Sequence, residues 1–225
     1  MENQPKVIYG AVYDERFLLN SNTAWFIPVI KEELLQLEWV TKKTARHEYF
    51  MSENERTYSY GNAFSGEETY KSKPFAPKVK MLMDSINWQY DTDFNTCFLN
   101  KYDDDKQHLG WHADDFEGMD KNSPIFVVSF GAEREIWVKE KFKPCDVCNG
   151  VGYDDTAAVG EPCTACKTKG KTEVTGKIPK DQRILLHEGS LFIMPEGYQD
   201  THLHRIPKHD RPCGWRISLT FRSFK

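Results

Sequence analysis

WRISLTFRSF, residues 215–224, carries two patterns within one strand's length. Successive side chains of an extended chain point to opposite faces. Trp215, Ile217, Leu219 and Phe221 therefore share one face, and Arg216, Ser218, Thr220 and Arg222 the other. Two arrangements satisfy this alternation. The polar face can meet water, as in many antiparallel sheets. Or the apolar face lies beneath helices while the polar face lines a cavity. Two guanidiniums there would hold an anion, because their planar fork matches a carboxylate.

Working outward, FNTCFLNKY (94–102), PIFVVSFG (124–131), REIWVK (134–139), RILLHE (183–188) and SLFIMP (190–195) also read as strands. They are short, rich in β-branched and aromatic residues, and broken by turn residues. The N-terminal third differs. Val29, Ile30, Leu34 and Leu37 form one stripe of a helix over 27–38. Pro77 opens a second helix over 76–88, with Val79, Leu82, Met83 and Ile86 at helical spacing. The polar stretch 41–73 is expected to be a long loop with short strands, of the kind that covers a site. Helices followed by strands predict an α+β fold around a sheet sandwich or barrel.

A chain of 225 residues suits one domain with a small insertion and buries a core without disulfides. Its 30 basic and 34 acidic residues give a net charge of −4. That argues against a general electrostatic nucleic-acid binder but leaves room for a local basic groove. No signal peptide or transmembrane run is visible, so the expectation is a soluble intracellular or cytoplasmic monomer without a membrane partner.

GWHADD, residues 110–115, places His112 and Asp114 on one face if extended, about 7 Å apart by strand rise. One metal ion can take both, although an isolated H-x-D is common by chance. Asn100 and Tyr102 share a face on the preceding strand. Four of the six cysteines form C-x-x-C pairs, Cys145/Cys148 and Cys163/Cys166, while Cys97 and Cys213 stand alone. In an intracellular chain such pairs read as one tetrahedral zinc site before they read as disulfides.

N-K-Y, G-W-H-A-D-D, S-P-I-F-V-V-S-F-G-A, H-E-G-S-L-F-I-M, T-H-L-H-R-I-P and R-I-S-L-T-F-R occur in that order. This series resembles the AlkB-type Fe(II)/2-oxoglutarate dioxygenases over residues 94–138 and 183–222. T-Y-S-Y-G-N-A-F-S-G (57–66) resembles the family's substrate-gripping loop. The resemblance implies a double-stranded β-helix, or jelly roll, behind N-terminal helices. It divides the chain into helices and lid (1–92) and a dioxygenase core (93–225) interrupted by a zinc-binding insertion (139–182). It implies an iron site of two histidines and one carboxylate: His112, Asp114 and a choice between His202 and His204, with His204 favoured by its place before R-I-P. It further implies that Arg216 and Arg222 grip the carboxylates of 2-oxoglutarate, aided by Asn100 and Tyr102. The reaction so implied consumes O₂ and 2-oxoglutarate and hydroxylates a C–H bond, removing a methyl from a base nitrogen as formaldehyde.

Family members acting on bases flip the nucleotide and stack it on aromatic rings. Tyr60 matches the stacking position, with Tyr58, Arg46 and Asp115 as candidate polar contacts. Phe116 departs from the family's H-x-D-D-E continuation. The stretch from Trp39 to Tyr49 is short and lacks an apolar wedge, which favours single-stranded DNA or RNA over duplex. The acidic net charge keeps a protein side chain or small molecule open as an alternative target. The C-D-V-C-N-G-V-G segment resembles a DnaJ-type zinc knuckle. Its metal is expected to staple a long insertion, and Lys167, Lys169, Lys171 and Lys177 offer a nucleic-acid contact.

Overall fold

The computed structural model describes residues 4–19, 22–41, 46–62, 66–150, 162–167 and 169–225. In chain order the elements are β1 (Lys6–Ile8), β2 (Ala11–Asp14), α1 (Phe26–Leu35), β3 (Val40–Thr41), β4 (His47–Ser52), β5 (Thr57–Asn62), β6 (Gly66–Lys71) and α2 (Pro77–Tyr90). They continue with β7 (Thr96–Tyr102), β8 (Leu109–His112), β9 (Ile125–Gly131), β10 (Arg134–Glu140), β11 (Phe142–Pro144) and β12 (Lys171–Glu173). The last are β13 (Arg183–Leu186), β14 (Leu191–Met194), α3 (Tyr198–Thr201), β15 (His202–Ile206) and β16 (Arg216–Arg222). The larger sheet runs β1-β2-β14-β9-β16-β7-β4-β3, and a smaller one runs β13-β10-β15-β8. This is the expected α+β architecture, a double-stranded β-helix backed by helices.

The two faces of β16 resolve the choice its alternation left open. Ile217, Leu219 and Phe221 pack with Ile30 and Leu34 of α1 and Val79, Leu82, Met83 and Ile86 of α2. Arg216, Ser218, Thr220 and Arg222 face the other way, into a cavity between the two sheets, and are also buried. Ile136, Val138, Ile184, Leu186 and Ile206 of the smaller sheet close the apolar part of that space against Phe98, Val127 and Phe192. Trp215 packs over Gly131, where φ is +85° and an added Cβ would lie 2.4 Å from the Trp215 carbonyl oxygen. Only glycine fits such a position.

Several elements differ from their sequence-based bounds. α1 ends at Leu35, short of residue 38, and the Trp39 indole N–H donates to the Leu34 carbonyl at the frayed end. α2 runs on to Tyr90, where Asp91 adopts a left-handed conformation. Among its described residues, the stretch 41–73 has the short strands expected, but they are longer and paired: β4 with β7 in the larger sheet, and β5 with β6 in a hairpin. Within it Arg46, Glu48 and Tyr70 satisfy one another in a buried network rather than meeting water. β1 and β2, for which no strand was expected, extend the larger sheet beside β14. Residues on both sides of position 92 thus build one sheet. Among the described residues, no helix is long and apolar enough to cross a membrane.

Candidate active site

β8 and β15 are antiparallel neighbours with His112 opposite His204. Their rings lie 4.1 Å apart, centre to centre. Asp114 follows the end of β8, and its Oδ1 is 3.5 Å from His112 Nε2. One ligand atom from each of the three residues lies within 4.8 Å of the others. His112 Nδ1 is 2.9 Å from the Gly110 carbonyl oxygen. As the protonated nitrogen it donates there and leaves Nε2 as the lone-pair donor. His202 shares its strand face with His204 but sits opposite Glu140, stacked on Tyr198. It lies outside the cluster.

The protonation states of the three residues suit a metal. Burial by itself would raise the Asp114 pKa, but the Arg222 guanidinium and the two imidazoles outweigh it and hold the carboxyl at about 2. Burial, then the neighbouring His112, pushes His204 down to about 3. His112 is lowered too, chiefly by burial. At neutral pH the cluster therefore offers a carboxylate and two neutral imidazoles, the forms a metal binds. Arg222 Nη2 donates to Asp114 Oδ2 at 2.6 Å, which orients the acid.

The inner cavity is lined for a carboxylate. Arg216 is 1% exposed. Its Nη2 donates to Ser129 Oγ, while Nε and Nη1 have no protein partner, and neither has the buried Tyr102 hydroxyl opposite. Buried donors are rarely left so, which marks this as a place for an acceptor. Burial raises the Tyr102 pKa, keeping the hydroxyl a neutral donor. Burial lowers Arg216 to about 10, so it stays charged at neutral pH. Arg216 and Arg222 stand about 20 Å apart along β16 by strand rise, so they serve different ends of the cavity.

The expected substrate residues are placed unevenly. Tyr58 is buried, its ring 4.6 Å from Phe98 and 4.5 Å from Phe116. With Trp111, His112 and Arg222 these rings line an open pocket of about 620 Å³ that reaches His112 and Asp114. Arg46 borders the pocket from a buried network: Nε donates to Asn100 Oδ1 at 2.6 Å and Nη2 pairs with Glu48 at 2.5 Å. The Tyr70 hydroxyl donates to the other oxygen of Glu48. Glu48 and Tyr70 were not singled out in the sequence, although an acid at an inward position of a strand is itself a signal. Asp115 is exposed at the pocket rim and pairs with Lys121 at 2.8 Å. The Tyr60 side chain lies outside the described residues, as do residues 42–45, where a wedge was sought.

Residues 13–222 match the family described as the 2OG-Fe(II) oxygenase superfamily. The chain belongs to that superfamily. Within it the chain is AlkB-like. It is 26% identical over 206 residues to "DNA oxidative demethylase ALKBH2" of Homo sapiens, covering 86% of this chain and 67% of that protein. It is 29% identical over 147 residues to "DNA oxidative demethylase ALKBH2" of Arabidopsis thaliana, covering 65% of this chain and 43% of that one. With "Alpha-ketoglutarate-dependent dioxygenase alkB homolog 3" of Bos taurus it shares 31% over 147 residues, 65% of this chain and 42% of that protein. The chain thus spans under half the length of two of these curated relatives. Among solved structures, "The structure of OsALKBH1" superposes with a TM-score of 0.53 over 99% of both chains at 14% identity, a likeness of fold. The family implies Fe(II) and 2-oxoglutarate, and the two sites just described fit them.

This AlkB-like chain carries a second cluster. β10 and β13 form a hairpin whose tip is extended by the β11–β12 ribbon. Beyond the ribbon the sulfurs of Cys145, Cys148, Cys163 and Cys166 lie within 4.8 Å of one another. Cys145 and Cys163 are 3.8 Å apart, and Cys148 and Cys166 3.6 Å. A tetrahedron with metal–sulfur bonds of about 2.3 Å has edges of about 3.8 Å. Backbone N–H groups of Cys148 and Val147 lower the Cys145 thiol to about 7, whereas burial raises Cys166 to about 11. The two C-x-x-C turns match: Asn149 and Lys167, each just after a second cysteine, both have positive φ. A Cβ on Gly170 would meet the Gly150 carbonyl oxygen at 2.2 Å, so the knuckles touch through glycine.

Proposed function

We propose that the chain is an Fe(II)/2-oxoglutarate-dependent dioxygenase that oxidatively demethylates, or hydroxylates, alkylated bases in single-stranded DNA or RNA. The observation that carries this is the His112–Asp114–His204 cluster beside the unpartnered donors of Arg216 and Tyr102. His112, Asp114 and His204 would hold the iron. Arg216 and Tyr102 would take the far carboxylate of 2-oxoglutarate, with Asn100 on the same wall. Arg222 keeps the Asp114 carboxylate ionised and turned towards His112. When bound, iron with 2-oxoglutarate and O₂ supplies an oxidant strong enough to hydroxylate a C–H bond, and a methyl on a ring nitrogen then departs as formaldehyde. The chain's own work is to fix those groups and hold the target carbon against them.

Two features support a nucleic acid as substrate. Tyr58, Phe116 and the His112 ring give the pocket flat aromatic walls suited to an unstacked base. On the outer face of the smaller sheet, Arg183, Trp137, Arg205 and Trp111 alternate as a cation–aromatic ladder, beside a groove that also holds Lys208 and Arg211. The groove shares Leu109, Gly110 and Trp111 with the substrate pocket. A cationic and aromatic track of this kind suits a single strand's phosphates and bases. The preference for single strands rests on the short, wedge-free sequence from Trp39 to Tyr49. We also propose that Cys145, Cys148, Cys163 and Cys166 hold one structural Zn(II).

The test is succinate and formaldehyde release with a panel of methylated single- and double-stranded oligonucleotides, read by mass spectrometry. Matched formaldehyde and a mass loss of one methylene on single strands is the expected result. Succinate unaffected by every oligonucleotide overturns the substrate and favours a protein or small-molecule target. No succinate under any condition overturns the activity itself.

A further inference from the structure

The root of the cysteine-bearing insertion and the proposed iron site meet at one short helix, α3. Lys141, just past β10, donates its backbone N–H to the Thr201 carbonyl at 2.8 Å. Its Nζ donates to the Gln199 carbonyl at 2.6 Å. The returning leg is tied to the same point: Val174 N–H donates to the Lys141 carbonyl at 3.1 Å, and Lys139 Nζ to the Val174 carbonyl at 2.7 Å. Both legs of the insertion are therefore fastened together and onto α3.

From α3 the Gln199 side chain reaches the other way. Its Oε1 accepts the backbone N–H of Asp114 at 2.8 Å, and its Nε2 donates to Met194 Sδ at 3.2 Å. Asp114 lies beyond the last residue of β8, His112, so the sheet ladder does not carry its backbone. Two contacts then set the acid: Arg222 turns the carboxylate, and Gln199 holds the main chain beneath it. Groups that hold a ligand in this way typically change metal affinity about 10–100-fold when lost.

We propose that Gln199 is a positioning residue for Asp114, and that the insertion holds Gln199 through Lys141, so that the folded state of the cysteine cluster is felt at the iron site. This rests on reading Asp114 as an iron ligand. The Gln199 side chain is matched in length by Glu, which keeps an oxygen acceptor, whereas Leu is apolar and removes it. Lys141→Arg keeps a donor to the Gln199 carbonyl, and Lys141→Met removes it.

The experiment measures Mn(II) binding to zinc-replete protein by the electron paramagnetic resonance signal of free Mn(II). Imidazole and carboxylate ligands accept this ion, and thiolates disfavour it. Gln199→Leu is expected to weaken Mn(II) binding by about tenfold or more, with Gln199→Glu near wild type. Lys141→Met and the Cys148→Ser, Cys166→Ser pair are expected to weaken it by about threefold to tenfold, a smaller fraction of the same effect, with Lys141→Arg restoring it. Wild-type binding in Gln199→Leu overturns the positioning role. A loss in Gln199→Leu together with unchanged binding in both Lys141→Met and the cysteine pair overturns the link to the insertion. Equal losses in Gln199→Glu and Gln199→Leu also overturn the positioning role, because a lost acceptor is then not the cause. Mn(II) binding that survives Asp114→Ala unchanged overturns the ligand reading itself, which separates that failure from the others.

Discussion

Replacing Arg216 with methionine separates two roles of a buried guanidinium. In the protein alone the charge is a burden. Arg216 is 1% exposed, two of its three nitrogens have no protein partner, and burial lowers its pKa to about 10. Exchanging a buried ion for an apolar group of similar volume is often neutral, or stabilising by about 1–4 kcal/mol. The lost contacts are small, one hydrogen bond to Ser129 and the face of Tyr102, 5.6 Å from the guanidinium. With 2-oxoglutarate present the sign reverses. Truncating one partner of a buried, hydrogen-bonded charge pair costs about 2–5 kcal/mol, which is roughly 30-fold to several-thousand-fold in Kd. Arg216→Met should thus melt at or above the wild-type temperature and yet lose most of its affinity for the keto acid. Arg216→Lys, with charge but no fork, should fall between. The assay is calorimetric titration of 2-oxoglutarate into Mn(II)-loaded protein under argon, with thermal melts of the same samples. An unchanged Kd refutes the pocket assignment. A melting temperature several degrees lower refutes the claim that this charge does not stabilise the fold.

His204→Ala should abolish succinate release while His202→Ala retains it, since only His204 faces His112; equal losses in the two would overturn the assignment of the third ligand. Asp114→Ala should also end turnover and lower the melting temperature, because it leaves the buried Arg222 guanidinium without its acid, a loss typically worth about 3–5 kcal/mol. Metal-replete protein should contain about one zinc per chain, and Cys145→Ser with Cys163→Ser should lose it; elemental analysis showing under about half an equivalent in wild type would refute the four-cysteine site.

Much of the site was legible because its chemistry is written in local spacing. The alternation of 215–222 paired Arg216 with Arg222 and Ile217 with Leu219. H-x-D set His112 and Asp114 within reach of one ion, and two C-x-x-C pairs announced a four-cysteine cluster. The ordered motifs implied the family that residues 13–222 match. Periodicity is a property of one strand, however, and it stops at that strand's edge. It could not tell a cavity from solvent behind the polar face of β16, since both favour the same residues. It could not separate His202 from His204, which share a face. The pairing of β15 with β8 chose His204, by setting it and not its neighbour opposite His112. Nor could it show that Arg46 pairs with a buried Glu48, that Arg216 and Arg222 have different partners, or that Gln199 reaches Asp114. Apart from the Arg46–Glu48 pair, which is two residues apart, each of those depends on which distant segments the sheets bring together, and long-range pairing is fixed by the burial of the whole core rather than by any short run of residues.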